Sequence, residues 1–313
     1  MARNQGKVGE HKSSILEAIP AACADEAAAA EFIEGLRWGD EPACPRCGDV
    51  DVSQMQDRDG NRNARFLWRC RGCKKQFTVR IGTIFEDSRI PLRIWCHAFW
   101  RACSSKKGVS ALQISRETGL SYKSALFLMH RIRFAMSDGP GTARLEGIVE
   151  ADETYVGGKP RYRMKGMPGR KTDKVPVFAA VERGGRVRAR PLDRVTAKTV
   201  GSALHEFVDH SAEVHTDEAS VYRWMDKPWP GGHETVNHSA GEYARGDVTT
   251  NSVEGFFSLL KRGVYGTFHS VSKKHLHRYV DEFTFRYNTR EMNDGERTLA
   301  AIQSCEGKRL RQI

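Results

Sequence analysis

Apolar residues recur along this chain at two different spacings, and the spacing changes where the character of the chain changes. Between residues 91 and 136 the period is helical. LRIWCHAFWRAC is dense in large apolar side chains; GVSALQISRETGLSYKSALFLMHRIRFAM then breaks at Gly119 and restarts at Ser121. In the restarted segment Ala125, Leu128, Met129 and Ile132 fall at i, i+3, i+4 and i+7, which predicts one buried stripe. Tyr122, Lys123 and Arg131 lie off that stripe. Two short helices joined at a glycine are what a helix-turn-helix looks like, with the early residues of the second helix open to base edges and phosphates. An ordinary antiparallel helix pair has the same pattern.

From about residue 147 the period shortens. IVEADET alternates over 148 to 154, so Glu150 and Asp152 share one face and Val149 and Ala151 the other. VPVFAAVERGGRVRARPLDRV predicts a hairpin turning at Gly184-Gly185. TAKTVGSALHEFVDHS predicts an amphipathic helix, EVHTD a strand ending at Asp217, and TTNSVEGFFSLLKRGVYG a further helix. In that helix Val253, Phe256, Phe257 and Leu260 form the apolar stripe, while Asn251, Glu254, Ser258 and Lys261 line a polar face. Leu276, Tyr279, Val280 and Phe283 predict one more buried helix face. A hairpin of strands followed by alternating helix and strand is the order of an RNase H-like α/β fold.

The stretch before the helical region has little apolar material of its own. CPRCG and CRGC place Cys44, Cys47, Cys70 and Cys73 in two C-x-x-C pairs separated by 22 residues, with the turn-forming DRDGN between short β-type segments. Four thiolates at that spacing suit one tetrahedral Zn²⁺, and the metal would supply much of the folding energy of so small a region. Cys23, Cys96, Cys103 and Cys305 fit no such pattern and are read as helix or tail residues. Ahead of this lies DEAAAAEFIEGLRW, a good helix composition with no functional pattern. The predicted organisation is a helical lead-in (1–40), a zinc ribbon (41–85), a helix-turn-helix (86–138), an RNase H-like domain (146–303) and a tail (304–313).

Composition adds a partner. The 313 residues carry a formal charge of +11. Residues 65 to 133 hold 15 Lys or Arg against three acids (Glu86, Asp87, Glu117), a local +12. Basicity confined to a region with binding-module patterns points to nucleic acid, the plain alternative being a solvated face. The loop GGKPRYRMKGMPGRKTDK, with seven Lys or Arg and one Asp, suits a DNA backbone contact or a solvated loop equally. There is no apolar run of bilayer length and no signal core at the N-terminus, so the expected location is the cytoplasm, on the nucleoid, without a membrane partner.

The acids come in an order that matters more than any one of them: Asp152 on the first strand, Asp217 after the fourth, and Glu254 on a helix 37 residues later. Converging carboxylates suit hard divalent cations, which activate a water or a 3′-hydroxyl in phosphodiester attack. EADETYVGGK, HTDEASVY and NSVEGFFSLLKRGVYGTFHSVSKKHLHRYVDEFTFRYNTR, preceded by CPRCG and CRGC, resemble prokaryotic insertion-sequence transposases with an N-terminal zinc ribbon and a DDE catalytic domain, a group related to the eukaryotic Merlin elements. The resemblance runs from about residue 30 to 303. It implies Asp152, Asp217 and Glu254 as the catalytic triad holding Mg²⁺ or Mn²⁺, with Lys261 as a companion near the DNA. It also implies binding of terminal inverted repeats and target DNA, strand cleavage and strand transfer, and a homodimer or higher oligomer on DNA. Tyr122, Lys123 and Arg131 would join Lys261 as DNA contacts. Some members carry Asn in place of the Glu, and Asn251 stands one helical turn from Glu254; Glu254 is taken as the ligand. Glu150, Glu153 and Glu218 are read as supporting neighbours, and His238, His269, His275 and His277 as scaffold or phosphate contacts. The rival reading is a non-catalytic zinc-ribbon regulator derived from such an enzyme; a third is a host nuclease of the same fold.

Overall fold

The structure, a computed structural model, describes residues 17–139, 141–157, 174–226, 229–242 and 244–309, with residues 226 and 238 in backbone only. The basic stretch 158–173 singled out in the sequence lies outside the described residues. The chain divides into two compact units, residues 1–136 with 292–313, and residues 137–291.

In the first unit, helix α1 (Glu26–Trp38) opens where the Asp25 carboxylate accepts from Ala28 N, and it buries Ala29, Ala30 and Ile33. Three short antiparallel strands follow: β1 (Val52–Gln54), β2 (Trp68–Cys70) and β3 (Gln76–Phe77), with Val52 opposite Cys70 and Trp68 opposite Phe77. The predicted turn is held by Asp57, whose carboxylate accepts from Asp59 N and Asn61 N. The core here is Cys44, Cys70 and Phe77 with Trp38 and Trp68 against them, too little apolar volume to stand unaided. Glu34 of α1 accepts from Arg62 Nη2 and Trp68 Nε1, tying the hairpin to that helix.

Helix α2 (Leu92–Ser104) begins at Pro91 and receives its cap from a distance: Leu92 N and Arg93 N both donate to the Glu26 carboxylate. Helices α3 (Ala111–Thr118) and α4 (Tyr122–Ala135) are joined at Gly119, whose φ of +72° is the left-handed conformation that favours glycine at a helix end. Ser110 and Ser121 cap the two helices, the second opening at Ser121 as the sequence suggests. Ala125, Leu128, Met129 and Ile132 are all fully buried.

The second unit is built on a five-stranded sheet of β4 (Ile148–Val156), β5 (Val175–Glu182), β6 (Val187–Pro191), β7 (Glu213–Asp217) and β8 (His233–Val236), with helix α5 (Ala197–Phe207) between β6 and β7. The strand order is β6-β5-β4-β7-β8. The first three strands pair antiparallel, and β7 and β8 add on the other side of β4 in parallel. This is the RNase H-like topology, in which the central strand is the first in sequence. A small ribbon of β9 (Ala244–Arg245) and β10 (Val248–Thr249) leads into helix α6 (Asn251–Gly263); a π-helical turn, Val264–Phe268, follows it, then helix α7 (Leu276–Asn288).

Each sheet face has its own core. Val149, Ala151, Phe178, Ala180 and Val214 pack with Val200, Leu204 and Phe207 of α5 and with Tyr222. Val156, Val177, Ala179 and Val181 pack with Val253, Phe256, Phe257 and Leu260 of α6 and Val280 and Phe283 of α7. The pleat therefore turns Glu150 and Asp152 toward α6, and Glu153 toward α5 and Tyr222.

The last helix, α8 (Asp294–Gln303), belongs to the first unit, not to the RNase H-like domain in which the sequence reading placed it. Its buried Thr298, Ala301 and Ile302 pack on that unit, and Ser304 Oγ donates to Ala135 O. An apolar helix face does not specify its partner, and 146–303 looked contiguous only in sequence.

Candidate active site and metal centre

Two places in the structure gather chemistry. In the first unit, the two C-x-x-C knuckles bring Cys44 Sγ to 3.8 Å from Cys73 Sγ, and Cys47 Sγ to 3.6 Å from Cys70 Sγ. All four sulfurs lie within 4.8 Å of one another. Four thiolates at about 2.3 Å from a tetrahedral Zn²⁺ would stand about 3.8 Å apart, so the donor set fits zinc in number, type and spacing. Burial pushes the Cys44 thiol up, but the backbone N–H groups of Arg46 and Cys47 and the sulfurs of Cys47 and Cys73 outweigh it and bring the thiol down to about 7. Cys73 N also points at Cys70 Sγ, at 3.4 Å. Such N–H groups favour the thiolate, the form a metal requires, although at Cys70 the Cys73 N–H is outweighed by burial and by the Cys73 and Cys44 sulfurs, which raise the thiol. Cys23, Cys96, Cys103 and Cys305 form no disulfide among the described residues and lie outside this group.

In the second unit, β4, β7 and the first turn of α6 carry Asp152, Asp217 and Glu254 to the same face of the sheet. Asp152 is half-buried in the middle of the sheet, and its carboxyl is pushed up to about 7. Burial is the main cause, and the charges of Asp217, Glu153 and Glu254 add to it against the pull of Glu153 N, which donates to Asp152 Oδ1 at 2.6 Å. A carboxyl kept from ionising by burial first and by neighbouring acids second marks a site short of positive charge. Among the described residues only the cysteines bring three or more ligand atoms within 4.8 Å of one another, so the acids form a more open set.

Asp217 is at once a strand end and a turn residue, since its Oδ1 accepts from Ala219 N at 3.0 Å. Glu254 is exposed, and Thr250 Oγ1 donates to its Oε1 at 3.2 Å. Asn251, one turn earlier, is exposed too. Lys261 follows seven residues after Glu254 on the same helix and is half-buried.

The neighbouring acids separate by role. Glu153 faces the other side of the sheet, where its Oε2 accepts from Tyr222 OH at 2.6 Å. Its carboxyl is raised, chiefly by burial, with the Asp217 charge adding and the Tyr222 hydroxyl opposing. Glu218 accepts from Ser239 N and Oγ. Glu150 is 1% exposed and reaches the backbone of α6, a role the sequence did not reveal. Its alternation with Asp152 was visible; its partner a hundred residues on was not.

Tyr122 and Lys123 are exposed at the start of α4. Arg131 is not. It is 4% exposed, its Nη1 donates to Ile84 O and Glu86 O, and its guanidinium lies 4.5 Å from the Phe127 ring centroid. This corrects its assignment as a phosphate contact: Arg131 is a bracket inside the first unit. Off the stripe did not mean off the core, because the 84–86 turn covers that side of the helix. His269, His275 and His277 join no metal group among the described residues. No helix among them is long and apolar enough to cross a membrane.

Comparison with known proteins gives this geometry a setting. Residues 144–288 match the family described as an ISXO2-like transposase domain, and residues 24–76 match a transposase zinc-ribbon domain. A Halobacterium salinarum protein, described as an uncharacterized protein in transposable element ISH50, is 30% identical over 274 residues, covering 83% of this chain and 90% of that protein. Among solved structures, one of a simian T-cell lymphotropic virus intasome in complex with the PP2A regulatory subunit B56 gamma aligns at 13% identity and a TM-score of 0.30. That alignment covers 57% of this chain and 65% of the other. A pre-cleavage Mos1 transpososome aligns at 14% identity and a TM-score of 0.25, covering 62% and 74%.

Proposed function

The chain belongs to the insertion-sequence transposases that join a zinc ribbon to an ISXO2-like domain, and from that membership we propose that it cuts and joins DNA at the ends of its own element, using Asp152, Asp217 and Glu254. The observation that carries this is the convergence of the three acids from β4, β7 and α6 on one sheet face, with the Asp152 carboxyl raised to about 7 by burial and by the others' charges. The donor set is anionic oxygen throughout, which fits Mg²⁺ or Mn²⁺.

Divalent ions held there would make an attacking oxygen more nucleophilic and steady the leaving one. Asp152, in the middle of β4, and Asp217, at the end of β7, would hold the ions that meet the reacting phosphate, and Glu254 would close the set from the helix. Lys261, two turns along α6, would meet the DNA backbone beside it. Water would first break a P–O bond at the element end, leaving a 3′-hydroxyl. That hydroxyl would then attack a target phosphate, displacing the 3′-oxygen of the neighbouring nucleotide. Holding two ends for joining requires at least a dimer on the DNA.

Recognition of the terminal repeats would fall to the first unit, with Tyr122 and Lys123 on base edges and phosphates and the zinc ribbon beside them. The test is nicking of a duplex carrying the element end. Asp152→Asn, Asp217→Asn and Glu254→Gln should keep binding of the terminal repeat and lose Mg²⁺-dependent nicking by about three orders of magnitude or more. An Asp217→Asn protein that nicks near the wild-type rate would move the regulator reading ahead.

A further inference from the structure

Glu150 precedes Asp152 by two residues on the same face of β4, about 7 Å away along the strand. It is 1% exposed, and a carboxylate so deeply buried needs partners. It has them. Oε2 accepts from Ser252 N at 2.6 Å and from Val253 N at 3.3 Å. Oε1 accepts from Ser252 Oγ at 3.1 Å, and from Arg183 Nη2 at 3.1 Å and Nε at 3.3 Å. Arg183 Nη2 lies 3.3 Å from His215 Nδ1, and His215 Nε2 lies 2.9 Å from Glu213 Oε1. One carboxylate thus joins β4, the β5–β6 turn and the start of α6, with β7 drawn in through Arg183.

The first N–H groups of a helix have no partner within the helix, and an N-cap side chain commonly supplies one. Thr250, at the N-cap of α6, makes no such bond; its hydroxyl goes to Glu254 instead. Asn251 N donates to Thr249 Oγ1, and the next two N–H groups, of Ser252 and Val253, are served by Glu150 from a strand about a hundred residues earlier; a negative charge there also complements the positive end of the helix dipole. That same turn carries Glu254.

We propose that Glu150 is a positioning residue: it locks the first turn of α6 in register with β4, so that Glu254 stands at a fixed place relative to Asp152. This rests on the catalytic reading of Asp152, Asp217 and Glu254. A local cap would serve the helix equally well for stability, but it would leave the helix free to shift against the strand. Capping from β4 makes the helix start and the Asp152 carboxyl parts of one rigid piece.

Glu150→Gln in the full chain tests this, since Gln keeps the size but must turn an amide N–H toward either Arg183 or the helix donors. Nicking of the element-end duplex should fall at least 20-fold, and the Mg²⁺ concentration for half-maximal nicking should rise at least fivefold. Binding of the terminal repeat should stay within twofold of wild type. With zinc kept and magnesium and manganese removed, hydrogen exchange of the α6 first turn should quicken at least tenfold while the β4–β5 pair stays protected. If Glu150→Gln does not fold, Arg183→Gln removes one support and leaves the helix donors paired; it should shift Mg²⁺ dependence and exchange in the same direction by a smaller factor. Wild-type Mg²⁺ dependence with a rate within twofold overturns the proposal, as does a rate loss with no change in α6 exchange. Glu254→Gln separates the two readings: if it still nicks, the assignment of the acids falls. If it is inactive while Glu150→Gln behaves as wild type, the positioning role alone falls.

Discussion

Removing the Asp152 charge should stabilise the second unit when no divalent ion is present. The Asp152 carboxyl moves from 3.8 to about 7 on folding, with burial the first cause and the nearby acids the second. Each unit is worth about 1.4 kcal/mol, so roughly three units set a ceiling of about 4 kcal/mol on the cost of ionising it in the folded state. Its partial contact with solvent reduces that to about 2 kcal/mol. The folded carboxyl holds its proton more tightly than the unfolded one. Wild-type stability from this group is therefore intact below about pH 4, falls as pH rises toward 7, and is flat above. Asp152→Asn cannot ionise, and its side-chain oxygen can still accept from Glu153 N. At pH 8, with zinc kept and magnesium and manganese removed, the second unit of Asp152→Asn should melt about 4–8 °C above wild type. At pH 4 the two should melt together. Adding Mg²⁺ at pH 8 should raise wild type toward the variant and leave the variant unmoved, because binding to the folded state adds stability only where the site exists. Differential scanning calorimetry across pH reads all three. An equal gain at both pH values, or none at pH 8, would refute the electrostatic account of this site.

Other consequences are more local. Cys70→Ser should reduce bound zinc from about one equivalent to near none by metal analysis, with the 44–77 region unfolding alongside; full zinc in Cys44→Ser/Cys70→Ser would defeat the site. Arg131→Met should leave the Ile84 and Glu86 carbonyls unpaired and lower stability of the first unit by about 2–3 kcal/mol in urea titration, with terminal-repeat binding by the folded fraction unchanged. A selective loss of DNA affinity would restore Arg131 as a contact. Gly263→Ala would set a Cβ 1.8 Å from Phe283 Cζ, so it should lower stability of the second unit by about 2–3 kcal/mol; a neutral effect on thermal melting would mean the α6–α7 contact is looser than described. Truncation after residue 291 should lower the melting temperature of the first unit, since α8 supplies buried Ala301 and Ile302 to it, whereas an unchanged first-unit transition would show that α8 is dispensable.

Periodicity made much of the fold legible from the chain itself. The stripes at 125, 128, 129 and 132 and at 253, 256, 257 and 260 are buried as read, because a 3.6-residue period fixes which side of a helix turns inward whatever it meets. Alternation over 148 to 154 likewise fixed that Asp152 and Glu150 share a face. The spacing of Cys44, Cys47, Cys70 and Cys73 announced a metal-binding group, because short knuckles around a hairpin leave the sulfurs few other places to go. Which partner each face meets was decided only by the folded chain. Arg131 looks exposed by its position on α4 and is buried because a turn some 45 residues earlier in the chain lies over it. Glu150 reads as one more strand acid until α6 arrives with two N–H groups to receive. Helix α8 has an ordinary apolar face, and only the path of the chain sends it back to the first unit. Local pattern encodes direction because backbone geometry is the same everywhere; it does not encode distance, because the identity of a partner depends on how all the intervening elements pack.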